Sequence, residues 1–291
     1  MLWFFLSLFV ALSSSTTNIL TKKVSEKLPP LKFLILYFGF IIPFNVLLLF
    51  FLHGIPNVNP IFYFFMLLSI GLDVIAFICS IKGIQLSDLS LIVPLSSFLP
   101  VFTIIFNAIL FKEFPTQIKF IGIILIVIGV YVLNLKDIKR GFLKPIQDVA
   151  FNRGAQLFFF ANLIWAITPI FQKQAILATF PQRPTYISVV NSVGIFSILL
   201  IILFIRKQKI SISVVKKYSP LFLVFGVLGA ASQFAAFTAF SLTNVAYPNA
   251  VFKLSTLITV IVGGVLLKEK NIKTRIAATI IMLTGVTLLI I

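Results

Sequence analysis

Ten runs of roughly twenty apolar residues, separated by short polar breaks, dominate this chain of 291 residues. A run of that length spans the hydrocarbon core of a bilayer as an α-helix. They fall at about 2–21, 31–53, 60–82, 89–111, 117–135, 154–176, 186–205, 219–241, 245–267 and 274–291. With 60% hydrophobic and 11% charged residues, the chain has far fewer charges than the quarter usual in a soluble domain. Lipid is therefore its expected solvent.

The runs come in two sets of five. Lys112-Glu113, Gly122 and Gly129-Val130 recur as Lys268-Glu269, Ala278 and Gly285-Val286, an offset of roughly 156 residues. Such self-similarity marks an internal duplication. The polar stretch from Lys136 to Arg153 is the natural joint, giving domains at 1–140 and 150–291. Duplicated bundles are a common build of secondary transporters, with the solute site between the halves.

The net charge of +17 does not point to nucleic acid, because the basic residues are dispersed among short connections. Their distribution alternates. Odd-numbered connections hold about 19 Lys and Arg, and even-numbered ones hold Lys112, Lys119, Lys173 and Arg183. The positive-inside rule places the odd connections in the cytoplasm and both termini outside. Five helices per half then give two inverted repeats around a central cavity. The apolar start, Met1 to Ser15, lacks the basic n-region of a signal peptide and reads as a retained first helix.

Polar residues inside these runs are the candidate site. Asp73 lies mid-run in the third helix and Lys253 in the ninth. A charge at that depth costs at least ~2.5–3.5 kcal/mol, so it faces the bundle interior. Either the two form a structural ion pair, or they serve the solute path. Asn249, Lys253 and Thr256 follow one another at spacings of four and three and share a helical face. Pro248 is expected to kink the helix just before them. An amine with amide and hydroxyl neighbours suits a carboxylate or phosphate. The comparable stretch of the fourth helix holds Pro94, Ser96, Ser97 and Pro100, with no lysine. Trp165 and Gln233 are further candidate cavity residues, as are Asn18, Asn162, Gln172 and Asn191. A single Asn or Ser also serves commonly as hydrogen-bonding glue between membrane helices.

Enzymatic chemistry finds little support. The acids are scattered, and His53, the one histidine, has no partner residue nearby. No metal-ligand spacing or Gly-rich phosphate loop is present, and no cofactor is expected. Cys79, alone in an apolar run, reads as a packing residue.

The arrangement resembles the drug/metabolite transporter superfamily, and within it the EamA-like transporters. Leu99-Pro100-Val101-Phe102 through Lys112-Glu113 to Gly122 and Gly129 carry the resemblance. So do Leu254-Ser255-Thr256 through Lys268-Glu269 to Gly285, and Trp165 followed by Lys173. Ser13-Ser14-Ser15 stand where the first repeat of the family has its Trp. The resemblance implies two five-helix repeats that export or exchange small metabolites by alternating access in the cell membrane, with the Lys-Glu pairs as scaffold. Amino-acid-like, anionic or zwitterionic solutes are the expected cargo, and Asp73 is a candidate to titrate if protons drive transport. The region around Lys253 also resembles carriers that exchange phosphate esters or nucleotide sugars. A membrane assembly or receptor component is the non-transporting alternative.

Overall fold

The computed structural model describes residues 1–25, 27–52, 54–87, 93–134, 151–258 and 272–291. The first half contains α1 (Leu2–Ser25), α2 (Pro30–Leu52), α3 (Ile61–Leu86), α4 (Leu99–Phe111) and α5 (Gln117–Asn134). The second contains α6 (Arg153–Leu177), α7 (Pro184–Ile205), α8 (Ile212–Leu242), α9 (Ala246–Phe252) and α10 (Ile272–Ile290). Two short strands, β1 (Asn57–Val58) and β2 (Thr179–Phe180), pair antiparallel.

Among the described residues five helices, α2, α3, α6, α7 and α8, are long and apolar enough to cross a membrane. Shorter apolar helices cover Leu2–Thr17, Leu95–Phe111, Gln117–Val132 and Ala277–Ile290. Their outward faces carry Phe51, Tyr63, Leu67, Ile109, Phe204 and Ile280, each at least 60% exposed. So many large apolar side chains on the outside are unusual for a monomeric soluble protein, whereas lipid accepts them.

The fourth and ninth runs are not continuous helices. A 3-10 segment, Val93–Phe98, precedes α4. The ninth run pauses at Lys253, where Lys253 N–H donates to Ala250 and Thr256 N–H donates to Lys253 itself, both at 3.1 Å. These i→i−3 bonds tighten the backbone before helix resumes over 254–258. Pro248 sits in the first turn of α9, where a missing N–H is harmless, so it begins that helix and does not kink it. α8 also starts earlier than the apolar pattern indicates. Ser211 caps it by accepting from Ser213 N–H, which brings Lys216 and Lys217 into the helix.

The connections sort to two ends. β1 and β2 join the α2–α3 and α6–α7 connections. Lys173 near the end of α6 meets Glu113 between α4 and α5. The Lys119 ammonium lies 5.2 Å from the Tyr247 ring, and Trp3 lies 6.1 Å from that ring. These contacts gather the amino terminus and the even-numbered connections at one end. At the other end Gln85 donates to the Leu28 carbonyl, and Ser87 bonds Asn152.

Helix packing is built on small residues, as expected where lipid supplies no hydrophobic drive for helix association. A Cβ at Gly122 of α5 would lie 2.7 Å from the Gly285 carbonyl of α10, and one at Gly285 would lie 2.6 Å from the Gly122 carbonyl. Seven residues on, Gly129 faces Ala278. The contacts run in opposite directions along the two helices, so α5 and α10 are antiparallel. Gly83 of α3 and Gly154 of α6 approach in the same way, with 2.8 Å from a Cβ at Gly83 to the Gly154 carbonyl. Neither of the two larger hydrophobic clusters belongs to one half. Phe33, Phe38 and Met66 pack with Ile170, Leu199 and Phe225, and Ile123 and Val130 pack with Ala250 and Met282.

Candidate functional site

The polar residues picked out along the apolar runs form separate clusters. The α9 break presents Lys253, with its side chain partly buried. Its amine has no hydrogen-bond or ion-pair partner among the described residues. One turn earlier Asn249, 4% exposed, donates to the Thr103 hydroxyl of α4 at 3.2 Å. Thr256, partly buried, accompanies Lys253 on the far side of the break. Lys253 stands 156 residues after Ser97, the same offset that separates Lys112 from Lys268. Ser97 is fully buried at the end of the 3-10 segment before α4. Two positions related by that offset are therefore both places where helix geometry gives way. One holds a hydroxyl and the other an amine.

Asp73 belongs to a second cluster. It is 4% exposed, in the middle of α3. Gln172 of α6 donates to its Oδ2 at 3.0 Å and Asn191 of α7 at 3.3 Å, and Thr168 adds a hydroxyl contact. Gln172 also donates to Ser69. Asp73 and Lys253 do not form the ion pair that the sequence allowed. The ion pair among the described residues is Lys173 with Glu113, at 3.1 Å. Neutral donors surround Asp73 in place of a cation.

Gln233 takes part in a third cluster, which acts as glue. The Asn45 amide of α2 meets the Ser188 carbonyl at 3.2 Å and the Ser192 hydroxyl of α7 at 2.7 Å, and Gln233 Oε1 of α8 at 2.7 Å. Ser192 also donates to Gln233 at 2.9 Å. Asn45 and Ser192 were not singled out in the sequence. The signal for them is weak, because an isolated amide or hydroxyl in an apolar run does not say which helix it meets. Trp165 packs edge-on against Phe77 with centroids 5.3 Å apart, placing it in the α3–α6 seam. Asn162 is satisfied within its own helix by the Phe158 carbonyl. His53, Lys268 and Glu269, and the side chains of Asn18 and Pro94, lie outside the described residues.

Among the described residues, two apolar grooves stand out, and neither is lined by Asp73, Asn249 or Lys253. One is lined by Ile104, Ile109, Phe114 and Phe120, and the other by Phe9, Leu12, Ser13, Leu20 and Ile258. Neither lining includes a residue of the three polar clusters, so neither groove is the expected central cavity.

Apolar outer faces on long apolar helices, with polar clusters buried between them, are the marks of a multi-pass membrane protein. Residues 1–135 and 152–291 match the EamA-like transporter family, and the chain belongs to that family, within the drug/metabolite transporter superfamily. Members of the family are transporters. A search of curated proteins returns no match. A solved crystal structure is similar over 99% of this chain and 98% of its own, with a TM-score of 0.78 and 12% identity. At that identity the likeness speaks for the fold alone.

Proposed function

We propose that this protein is a secondary transporter that moves small anionic or zwitterionic metabolites, amino-acid-like solutes first among them, by alternating access. The observation that carries the reading is the Lys253 amine, held without a partner among the described residues where α9 gives way. Discontinuous helices at corresponding positions of two repeats are where carriers of this build bind their solutes. An unpaired amine in a partly buried position invites a carboxylate or phosphate, with Asn249 and Thr256 as hydrogen-bonding neighbours. Ser97 at the equivalent position, with Trp165 and Asp73 in the adjoining seam, would complete or flank the path.

Ten crossings and an inverted pair of repeats fit this reading. Antiparallel contact between α5 and α10, equivalent helices of the two halves, supports inversion, and so does the sorting of connections to two ends. The loop charges favour the cytoplasm for the odd-numbered connections, with the plasma membrane as location and efflux or exchange as the mode.

The test is a thermal-shift screen of amino acids, dicarboxylates, phosphate esters and nucleotide sugars on detergent-purified protein. Wild type is compared with Lys253→Ala. A stabilising anionic or zwitterionic compound whose effect is lost in the variant is the expected result. A hit among the phosphate esters alone would select an antiporter of that class. Equal shifts in both proteins would remove Lys253 from the site.

A further inference from the structure

We propose that Asp73 is a reversible proton site, distinct from the Lys253 solute site, and that Asn191 senses its charge. This rests on the transporter reading for its purpose, but not for its detection. Asp73 is buried in mid-helix and met by neutral donors on two other helices, Gln172 and Thr168 on α6 and Asn191 on α7. Its bonds therefore join three helices, two of them from the second repeat. Amide and hydroxyl donors directed at a carboxylate stabilise it without neutralising it. They also present their hydrogens to the space that a metal cation would occupy, which favours a proton over sodium.

Asn191 supplies an independent observation. Among the described residues its buried Oδ1 has no hydrogen-bond partner, while its Nδ2 donates to Asp73. A protonated Asp73 needs an acceptor for its O–H. Turning the Asn191 amide over would bring that unpartnered oxygen to the acid. One proton then reverses the donor and acceptor roles between α3 and α7. Solute and proton contacts share no residue: Asn249 of the Lys253 cluster meets α4, and Asp73 meets α6 and α7.

Other titratable groups on the surrounding helices are engaged elsewhere or placed apart. Lys173 of α6 is paired with Glu113. Tyr186 of α7 packs on Phe62, and Tyr37 of α2 on Phe33. Within α3, Cys79 and Lys82 lie more than one turn beyond Asp73. Among the described residues none forms an ion pair with Asp73.

Trp165 provides a reporter that needs no solute. It contacts Phe77, one turn from Asp73, and stands one turn from Thr168. In a Trp3→Phe background Trp165 is the one remaining tryptophan. Its emission is titrated in proteoliposomes from acid to alkaline pH, with Asp73→Asn and Asn191→Leu variants beside it. A one-proton transition that disappears in Asp73→Asn and moves in Asn191→Leu is expected. The same transition in Asp73→Asn, or a response to sodium in place of pH, overturns the proposal. Should Asp73→Asn fail to fold, the infrared band of a protonated carboxyl is followed in the parent. It must grow as emission changes and shift in D2O, and its absence overturns the proposal. A titrating Asp73 in a protein whose Lys253→Ala variant binds solutes as wild type does would keep the proton site and remove the solute site. The converse result would remove the proton site alone.

Discussion

Lys173 Nζ lies 3.1 Å from Glu113 Oε2, and Asn107 donates to that same carboxylate oxygen at 3.2 Å. The end of α6 is thereby tied to the turn after α4, a contact between the two halves. Lys112, beside Glu113, closes α4 in a left-handed conformation with φ 55°. This supports reading the Lys112-Glu113 motif as scaffold, because its acid holds a helix end in place. The pair is partly exposed, with 14% of Lys173 and 37% of Glu113 accessible, so water weakens the attraction. A double-mutant cycle with Glu113→Gln and Lys173→Gln should give a coupling below about 1 kcal/mol, as for exposed pairs. Reversible unfolding in mixed micelles measures it, and a coupling above about 2 kcal/mol would contradict the exposed geometry.

The α5–α10 seam should be far less tolerant. At Gly122 and Gly285 a methyl group would press into a facing backbone carbonyl, which cannot move aside as a flexible side chain can. Gly122→Ala and Gly285→Ala are each expected to destabilise by about 1–3 kcal/mol, the usual range for overpacking. Gly71 is the control, since a Cβ there meets nothing within 4 Å. Gly71→Ala should fall within about 0.5 kcal/mol of wild type. Thermal unfolding of the three variants separates these outcomes, and equal behaviour would show that the seam is looser than the contacts require.

The glycines also show how far the sequence was legible. Gly122, Gly129, Ala278 and Gly285 carried part of the self-similarity read as a duplication, with no sign of what they pack against. That Gly122 would meet Gly285 and Gly129 would meet Ala278 was not legible, since one repeat does not state how it faces the other. The long apolar helices α2, α3, α6, α7 and α8 followed from apolar run length. The pause at Lys253 did not, because Pro248 was the visible irregularity and it lies where proline is harmless. Asp73 stood out by its charge. Its partners Gln172, Thr168 and Asn191 are neutral, and opposite charge was the one pairing signal that a sequence offers.

Asn45 makes a different prediction from the ion pair. Its amide meets acceptors on α7 and α8, three in all, within 3.2 Å. Asn45→Leu keeps the volume and removes the donors, leaving Gln233 Oε1 with Ser192 as its donor. Hydrogen bonds between membrane helices average about 0.6 kcal/mol, so a loss of about 1–2 kcal/mol is expected. Asn45→Asp introduces a buried charge without a cation and should cost more. Comparing the two variants by thermal unfolding checks whether Asn45 acts by hydrogen bonding or by size.

Orientation in the membrane can be read across α7 alone. Gln182 and Gln208 flank this helix, and both are exposed. The α6–α7 connection carrying Gln182 belongs to the end gathered by the β1–β2 pair, where basic residues are few. The α7–α8 connection carrying Gln208 is rich in them, with Arg206, Lys207 and Lys209. Short connections dense in Lys and Arg stay cytoplasmic. In a Cys79→Ser background, Gln182→Cys should therefore react with a membrane-impermeant maleimide in intact cells. Gln208→Cys should react after permeabilisation. Reversed labelling would invert the topology while leaving the fold untouched. Labelling of both sites in intact cells would mean that α7 does not cross, and the inverted five-helix repeats would fall with it.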